Sequence, residues 1–174
     1  TEIYTLSLHD ALPILNELKK KFAGKKIAII GDMMLDCYYW GDVKRISPEA
    51  PVPVIEIDNE FYRFGGAANV ALNIAKLGGI PYPIGVLGYD NNGMIFSSLL
   101  KDENIPASGL MLDDKRPTTA KTRVIAQNQH VLRIDKENKE YISQSMQKKL
   151  INYFNSIVNR SEEHTSELQS PNTI

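Results

Sequence analysis

The chain has 174 residues, 43% of them hydrophobic and 24% charged, which suits one globular domain and excludes disorder throughout. Its 20 basic and 21 acidic side chains nearly cancel, which excludes an electrostatic nucleic-acid binder, and no apolar run reaches the roughly 18 residues of a membrane span. One cysteine, Cys37, excludes an internal disulfide and a cysteine-cluster metal site, and it suits a reducing cytoplasm.

Residues 1–14 (TEIYTLSLHDALPI) lack the basic start of a targeting segment and make a weak helix, with Thr and Ser early and Pro13 late. Back-translated, they resemble a short-read sequencing adapter. Residues 160–170 (RSEEHTSELQS) resemble the opposite adapter. The expectation is that 1–14 and 160–174 are adapter-derived and that 15–159 is a stretch of one domain. His130 is the single histidine of that stretch, which argues against a histidine-based catalytic or metal site.

In chain order, 15–23 predicts a short helix, with Leu15, Leu18 and Phe22 on one side and Gly24 as its stop. KIAII at 26–30 predicts a buried parallel strand that ends at Gly31-Asp32. The prolines of 48–53 predict an extended sheet edge that continues as strand 54–57. Gly65-Gly66 opens a helix with Val70, Ile74 and Leu77 in period, closed by Gly78-Gly79. A strand at 84–88 follows, then a helix over 91–103 capped by Asp90. Two strand-like runs within 117–135 turn at Gln127-Asn128-Gln129, as a hairpin does. Residues 141–158 form an amphipathic helix with Met146, Leu150, Tyr153, Phe154 and Ile157 on one face. The alternation predicts an α/β fold with a central, mainly parallel sheet and flanking helices. The two extended polar segments predict a small antiparallel sheet beside it.

Three clusters could carry chemistry. Asp32 and Asp36 follow a parallel strand at its C-terminal end, where α/β proteins bind ligands, and paired carboxylates accept hydrogen bonds from a polyol; a helix cap and a surface acid are the plainer reading. Gly65, Gly66 and Asn69 begin a helix whose free N–H groups attract oxygen-rich groups; tight helix–sheet packing is the alternative. The spacing is not that of a dinucleotide fingerprint. Thr119, Lys121 and Arg123 share one face of a strand by period two, with Arg133 on the partner strand, and could hold a phosphate or form a solvated face. Arg45 is a further candidate anion contact. Cys37 reads as a bystander thiol.

The motifs GDMMLD at 31–36, WGDVKRISPEAPVPV at 40–54, GGAANVALNIAKLGG at 65–79 and TTAKTRVIAQNQHVLRID at 118–135 resemble the ribokinase-like (phosphofructokinase-B-type) carbohydrate kinases. The resemblance is strongest to the branch that phosphorylates D-glycero-β-D-manno-heptose 7-phosphate, alone or fused in ADP-heptose synthesis for lipopolysaccharide core. It covers nearly all of 15–159. It implies the N-terminal part of a ribokinase-like fold, with a β lid built from about 37–57 and 118–135.

The resemblance also implies a sugar phosphate bound on the central sheet and phosphorylated at its anomeric hydroxyl by ATP with Mg²⁺. By motif match Asp36, Gly65, Gly66 and Asn69 bind the sugar, and Asp32 follows less directly. Lys121, Arg123 and Arg45 are assigned to the sugar's own phosphate by charge. Paired lids imply a homodimer of the intact protein. Cys37 departs from the branch, which carries Arg after the motif Asp. The family's catalytic aspartate lies in a Gly-Ala-Gly-Asp motif that this sequence does not contain. The expectation is therefore an inactive substrate-and-lid portion that binds ATP poorly and aggregates readily, with no metal site of its own. A kinase for another sugar, such as ribose or fructose, and a non-catalytic sugar-binding or dimerisation module are the alternatives.

Overall fold

The computed structural model describes residues 8–158. Eleven elements follow one another: α1 (Leu8–Phe22), β1 (Lys26–Ile30), β2 (Met33–Ile46), β3 (Pro53–Gly65), α2 (Gly66–Lys76), β4 (Ile80–Gly88), α3 (Asn91–Asp102), β5 (Leu110–Asp113), β6 (Thr119–Ala126), β7 (Gln129–Lys136) and α4 (Gln144–Ile157). They build two sheets. One is parallel, in the order β1-β4-β5; the other has four strands, in the order β3-β2-β6-β7.

The parallel sheet is short and apolar because helices cover both of its faces. Ile27 and Ile29 point to α2, where they bury against Ala71 and Ile74. Ala28, between them, points the other way, and with Ile84 it meets Ile157, Leu150, Tyr153 and Phe154 of α4. The predicted face of α4 is thus the face that packs. Ser143 caps this helix, accepting from the Met146 N–H at 3.2 Å.

The second sheet differs from the expected antiparallel one. β2 pairs antiparallel with β3 and β6 antiparallel with β7, but β2 and β6 run parallel at its centre. Parallel neighbours need a long crossover. Here β3, α2, β4, α3 and β5 all lie within it. The predicted hairpin forms, with Gln127 and Asn128 both at positive φ, as a two-residue turn of the I′ kind requires.

Other expectations shift in detail. Residues 48–52 form the bend between β2 and β3, and the edge strand begins only at Pro53, a position where a missing N–H costs nothing to the ladder. β3 runs on to Gly65, well past 57. Residues 33–36 are strand, not loop: the Gly31-Asp32 turn is short, and the aromatic and branched residues that follow favour β structure. β5 has four residues and only its pairing with β4 defines it.

The first helix reaches back from 15 to Leu8 and contains Pro13, whose ring removes the N–H that would bond the His9 carbonyl. Residues 12–21 are all exposed, and Phe22 is the residue that packs, against the β1–α2 core. Residues 1–7 and 160–174 of the two expected adapter segments lie outside the described residues.

The largest core joins the sheets. Met33, Leu35 and Cys37 of β2, Phe64 of β3 and Ala120 of β6 bury against Ala68 of α2, Leu87 of β4, and Phe96 and Leu100 of α3. Phe64 meets Phe96 edge-on, with ring centroids 5.0 Å apart. Only the near ends of β2, β3 and β6 take part. Beyond Trp40 the β2–β3 ribbon projects as an arm that leaves Ile46 and Ile57 61% and 46% exposed.

Candidate functional site

The near end of β2 alternates strictly, and this sorts the motif residues. Leu35 and Cys37 face the core; Asp36 and Tyr38 face the opposite side of the sheet. Burial pushes the Cys37 thiol up, only partly offset by its bond with Thr122. The thiol is thus an inert part of the core.

Register supplies Asp36 with its neighbours: Arg63 of β3 on one side and Lys121 of β6 on the other. Tyr38 lies level with Phe61 and Arg123. The Arg123 Nη1 donates to Asp36 Oδ1 at 2.6 Å, and this bond raises the arginine's pKa above its already high ordinary value. The same guanidinium sits 5.2 Å from the Tyr38 ring, and Tyr38 stacks on Phe61 at 4.7 Å. Arg123 is therefore fixed from two directions, and with it the carboxylate of Asp36.

The glycines close the other side. A Cβ at Gly65 would lie 2.9 Å from Asp36 Oδ2, so a side chain there would fill the space beside the carboxylate. Gly66 has φ +55°, and a Cβ on it would sit 2.5 Å from the Asp32 carbonyl oxygen. That carbonyl accepts the Ala67 N–H at 3.0 Å, which ties the start of α2 to the turn after β1. Asp32 and Asn69 both stand exposed at this junction, the latter in the first turn of α2. The fold thus draws together Asp32, Asp36, Gly65, Gly66 and Asn69 from three segments, where the parallel sheet meets the four-stranded sheet.

The cations divide. Lys121 and Arg123 share one face of β6, with Ala120 and Val124 buried on the other. Lys121 is already paired with Asp135 at 3.2 Å and Glu137 at 3.7 Å. Arg133, level with Arg123, is bound by Asp135 through both Nε (2.9 Å) and Nη2 (3.2 Å). Asp135 is held below the usual carboxylate range: burial is the largest single influence and pushes it up, but Lys121 and Arg133 together outweigh that. Arg45 is not brought to the cluster. It lies nine residues along β2 from Asp36, roughly 30 Å at the rise of a strand.

Sequence reasoning missed Tyr38, Phe61 and Arg63. The period-two run Phe61, Arg63, Gly65 was the available signal, hidden because a strand was expected only to 57. Among the described residues no group of three or more His, Cys, Asp or Glu could hold a metal ion. No helix among them is long and apolar enough to cross a membrane. The Gly-Ala-Gly-Asp motif is not in the sequence.

The family model described as pfkB family carbohydrate kinase matches residues 24–164. The chain is 49% identical over 130 residues to the bifunctional protein HldE of Helicobacter pylori, covering 75% of this chain and 28% of that protein. It is 45% identical over 124 residues to the HldE of Magnetococcus marinus, covering 71% and 26%. The chain thus spans little more than a quarter of these relatives. In fold it is similar to Arabidopsis thaliana ribokinase complexed with ribose and ATP, with a TM-score of 0.54, 20% identity, and coverage of 73% of this chain and 42% of that one. It is likewise similar to a carbohydrate kinase from Agrobacterium tumefaciens, with a TM-score of 0.53, 19% identity, and coverage of 64% and 35%. The chain belongs to the pfkB carbohydrate kinase family, with the α/β, ribokinase-like fold its motifs imply.

Proposed function

We propose that this pfkB-family chain is the sugar-binding, lid-bearing portion of a D-glycero-β-D-manno-heptose 7-phosphate kinase. The observation that carries this is the meeting of Asp36 with the bare backbone of Gly65 and Gly66 at the crossing of the two sheets. The carboxylate accepts from sugar hydroxyls. The glycines admit the ring close to the backbone, and Asn69 offers both a donor and an acceptor. Arg123 holds Asp36 in a fixed orientation. Lys121 and Arg123 form the cationic side toward the sugar's phosphate, and Asp32 borders the entrance. Arg45 contributes only through a second copy, because its own site is too distant.

In the intact enzyme ATP with Mg²⁺ supplies the phosphoryl group. That reaction rests on positioning and charge stabilisation by parts this sequence does not contain, so the chain alone is inactive. The exposed apolar arm beyond Trp40 supports a homodimer through the lid. A reducing, cytoplasmic setting fits a chain whose one cysteine is buried and unpaired. The adapter origin of 1–14 and 160–174 implies that genomic DNA encodes other residues there, which sequencing the locus tests.

Kinetics in the intact kinase test the function. Asp36→Ala removes a charged hydrogen-bond acceptor, so kcat/KM for the heptose phosphate should fall by about 10- to 100-fold. A variant with parental kinetics removes Asp36 from the site. A panel of heptose, ribose and fructose substrates decides the sugar, and equal turnover of ribose would overturn the heptose assignment.

A further inference from the structure

The lid face around Asp36 carries more positive charge than its carboxylates absorb, and the surplus has one address. Four cations are spread over this face of the four-stranded sheet: Arg63 on β3, Lys121 and Arg123 on β6, and Arg133 on β7. Three are neutralised. Arg123 is bonded to Asp36, Lys121 is held between Asp135 and Glu137, and Arg133 is held by Asp135. Arg63 has no carboxylate partner among the described residues and is exposed.

It is nonetheless not loose. Its guanidinium carbon lies 5.2 Å from the Phe61 ring centroid and 5.8 Å from that of Tyr38. The two rings are nearly parallel, at 5°. An arginine resting on such a pair keeps its fork of donors turned outward and loses less side-chain entropy on binding an anion. Position completes the case. Arg63 is level with Asp36 in the ladder and two residues before Gly65 on the same face of β3. A ligand lying in the space beside Gly65 would therefore touch the acid at one end and Arg63 at the other.

We propose that Arg63 recognises the phosphate group of a sugar phosphate bound at Asp36, and so sets the preference for a phosphorylated over a free sugar. This rests on the sugar-phosphate reading above. It assigns phosphate selectivity to the free, ring-braced charge ahead of Lys121 and Arg123, whose charges are already answered.

The test is a titration of the 174-residue chain, followed by ¹H–¹⁵N NMR shifts so that millimolar affinities are readable. The ligands are D-glycero-D-manno-heptose 7-phosphate and the unphosphorylated heptose. The parent should bind the phosphate ester more tightly. Arg63→Gln should weaken the ester about tenfold and the free sugar less than twofold. Arg63→Lys, which keeps charge but not the fork, should fall between. Lys44→Gln, an exposed cation on the distant arm already paired with Glu56, should change neither.

Equal losses for both ligands in Arg63→Gln would overturn the proposal, and so would an unchanged preference for the ester. A parent that binds both ligands equally would overturn it while leaving the sugar site intact. A parent that binds neither would remove the sugar-phosphate reading, and this inference with it.

Discussion

The two halves of the β2–β3 ribbon are one pair of strands in two solvents. Near the sheet crossing, Leu35, Cys37 and Phe64 are buried, and their outward neighbours form the Asp36 cluster. Past Trp40 the same ladder continues, through irregularities at Trp40/Gly41 and Val43/Arg45, with water on both sides of it. The hydrogen bonds are alike in both halves; burial is not. Backbone pairing therefore sets the shape of the arm, while side-chain burial anchors only its base. The base can hold a site in fixed geometry, and the tip is free to meet another surface.

Substitutions should respond to that division. Leu35→Ala, at the fully buried base, should cost about 2–5 kcal/mol in chemical denaturation. A cost below about 1 kcal/mol would mean the base is not anchored as described.

Next in size is Asp90, which straps the four-stranded sheet to the core. Its carboxylate accepts from Gly93 N–H (2.9 Å), from Thr118 N–H (3.2 Å) and from Lys136 Nζ of β7 (3.1 Å). Asp90→Ala removes a helix cap and leaves the amide of the buried Thr118 unpaired, so a loss of about 2–4 kcal/mol is expected. Unfolding monitored separately in the four-stranded sheet and in the core should then show that sheet loosening first.

The same carboxylate gives a pH test. Burial pushes Asp90 up, but its bonds with Thr118, Gly93 and Lys136 outweigh this and hold it below the usual carboxylate range. A depressed folded pKa contributes stability at neutral pH that is lost as pH falls through that pKa. Urea melts from pH 7 toward pH 3 should show the parent losing more stability than Asp90→Asn, with the gap between them closing only below the ordinary carboxylate range. Parallel curves would contradict the assigned bonds.

The smallest effect on the monomer belongs to the tip. Ile57→Glu or Ile46→Glu should change unfolding free energy by no more than about 0.5 kcal/mol, because both side chains are largely in water. Each should nevertheless shift any dimer toward monomer in sedimentation velocity. A large stability loss without a change of mass would place these residues in the monomer's own core and erase the contrast between the two halves.

Much of this was legible in advance, for local reasons. The Asp90 cap, the Gln127-Asn128 turn, the helix opened by Gly65-Gly66 and the apolar face of α4 each depend on a few adjacent residues. The two sides of β6 followed from alternation alone. β2 was harder, because Gly31-Asp32 reads as the start of a loop and the strand resumes two residues later. Lys121 illustrates the limit at the site: its face was predictable, but its pairing with Asp135 and Glu137 depends on a strand register that spacing cannot supply.

By itself the sequence determined the family, the α/β class and the residue types gathered for polyol and anion chemistry, since motif and periodicity are properties of neighbouring positions. The tertiary structure alone decided that β2 and β6 run parallel, that Arg123 belongs to Asp36, that Arg45 lies far from it and that Arg63 is left without a carboxylate among the described residues. Those are contacts between segments far apart in the chain. They form only when long loops close, and closure is rewarded by the shared core of both sheets, which no single segment encodes.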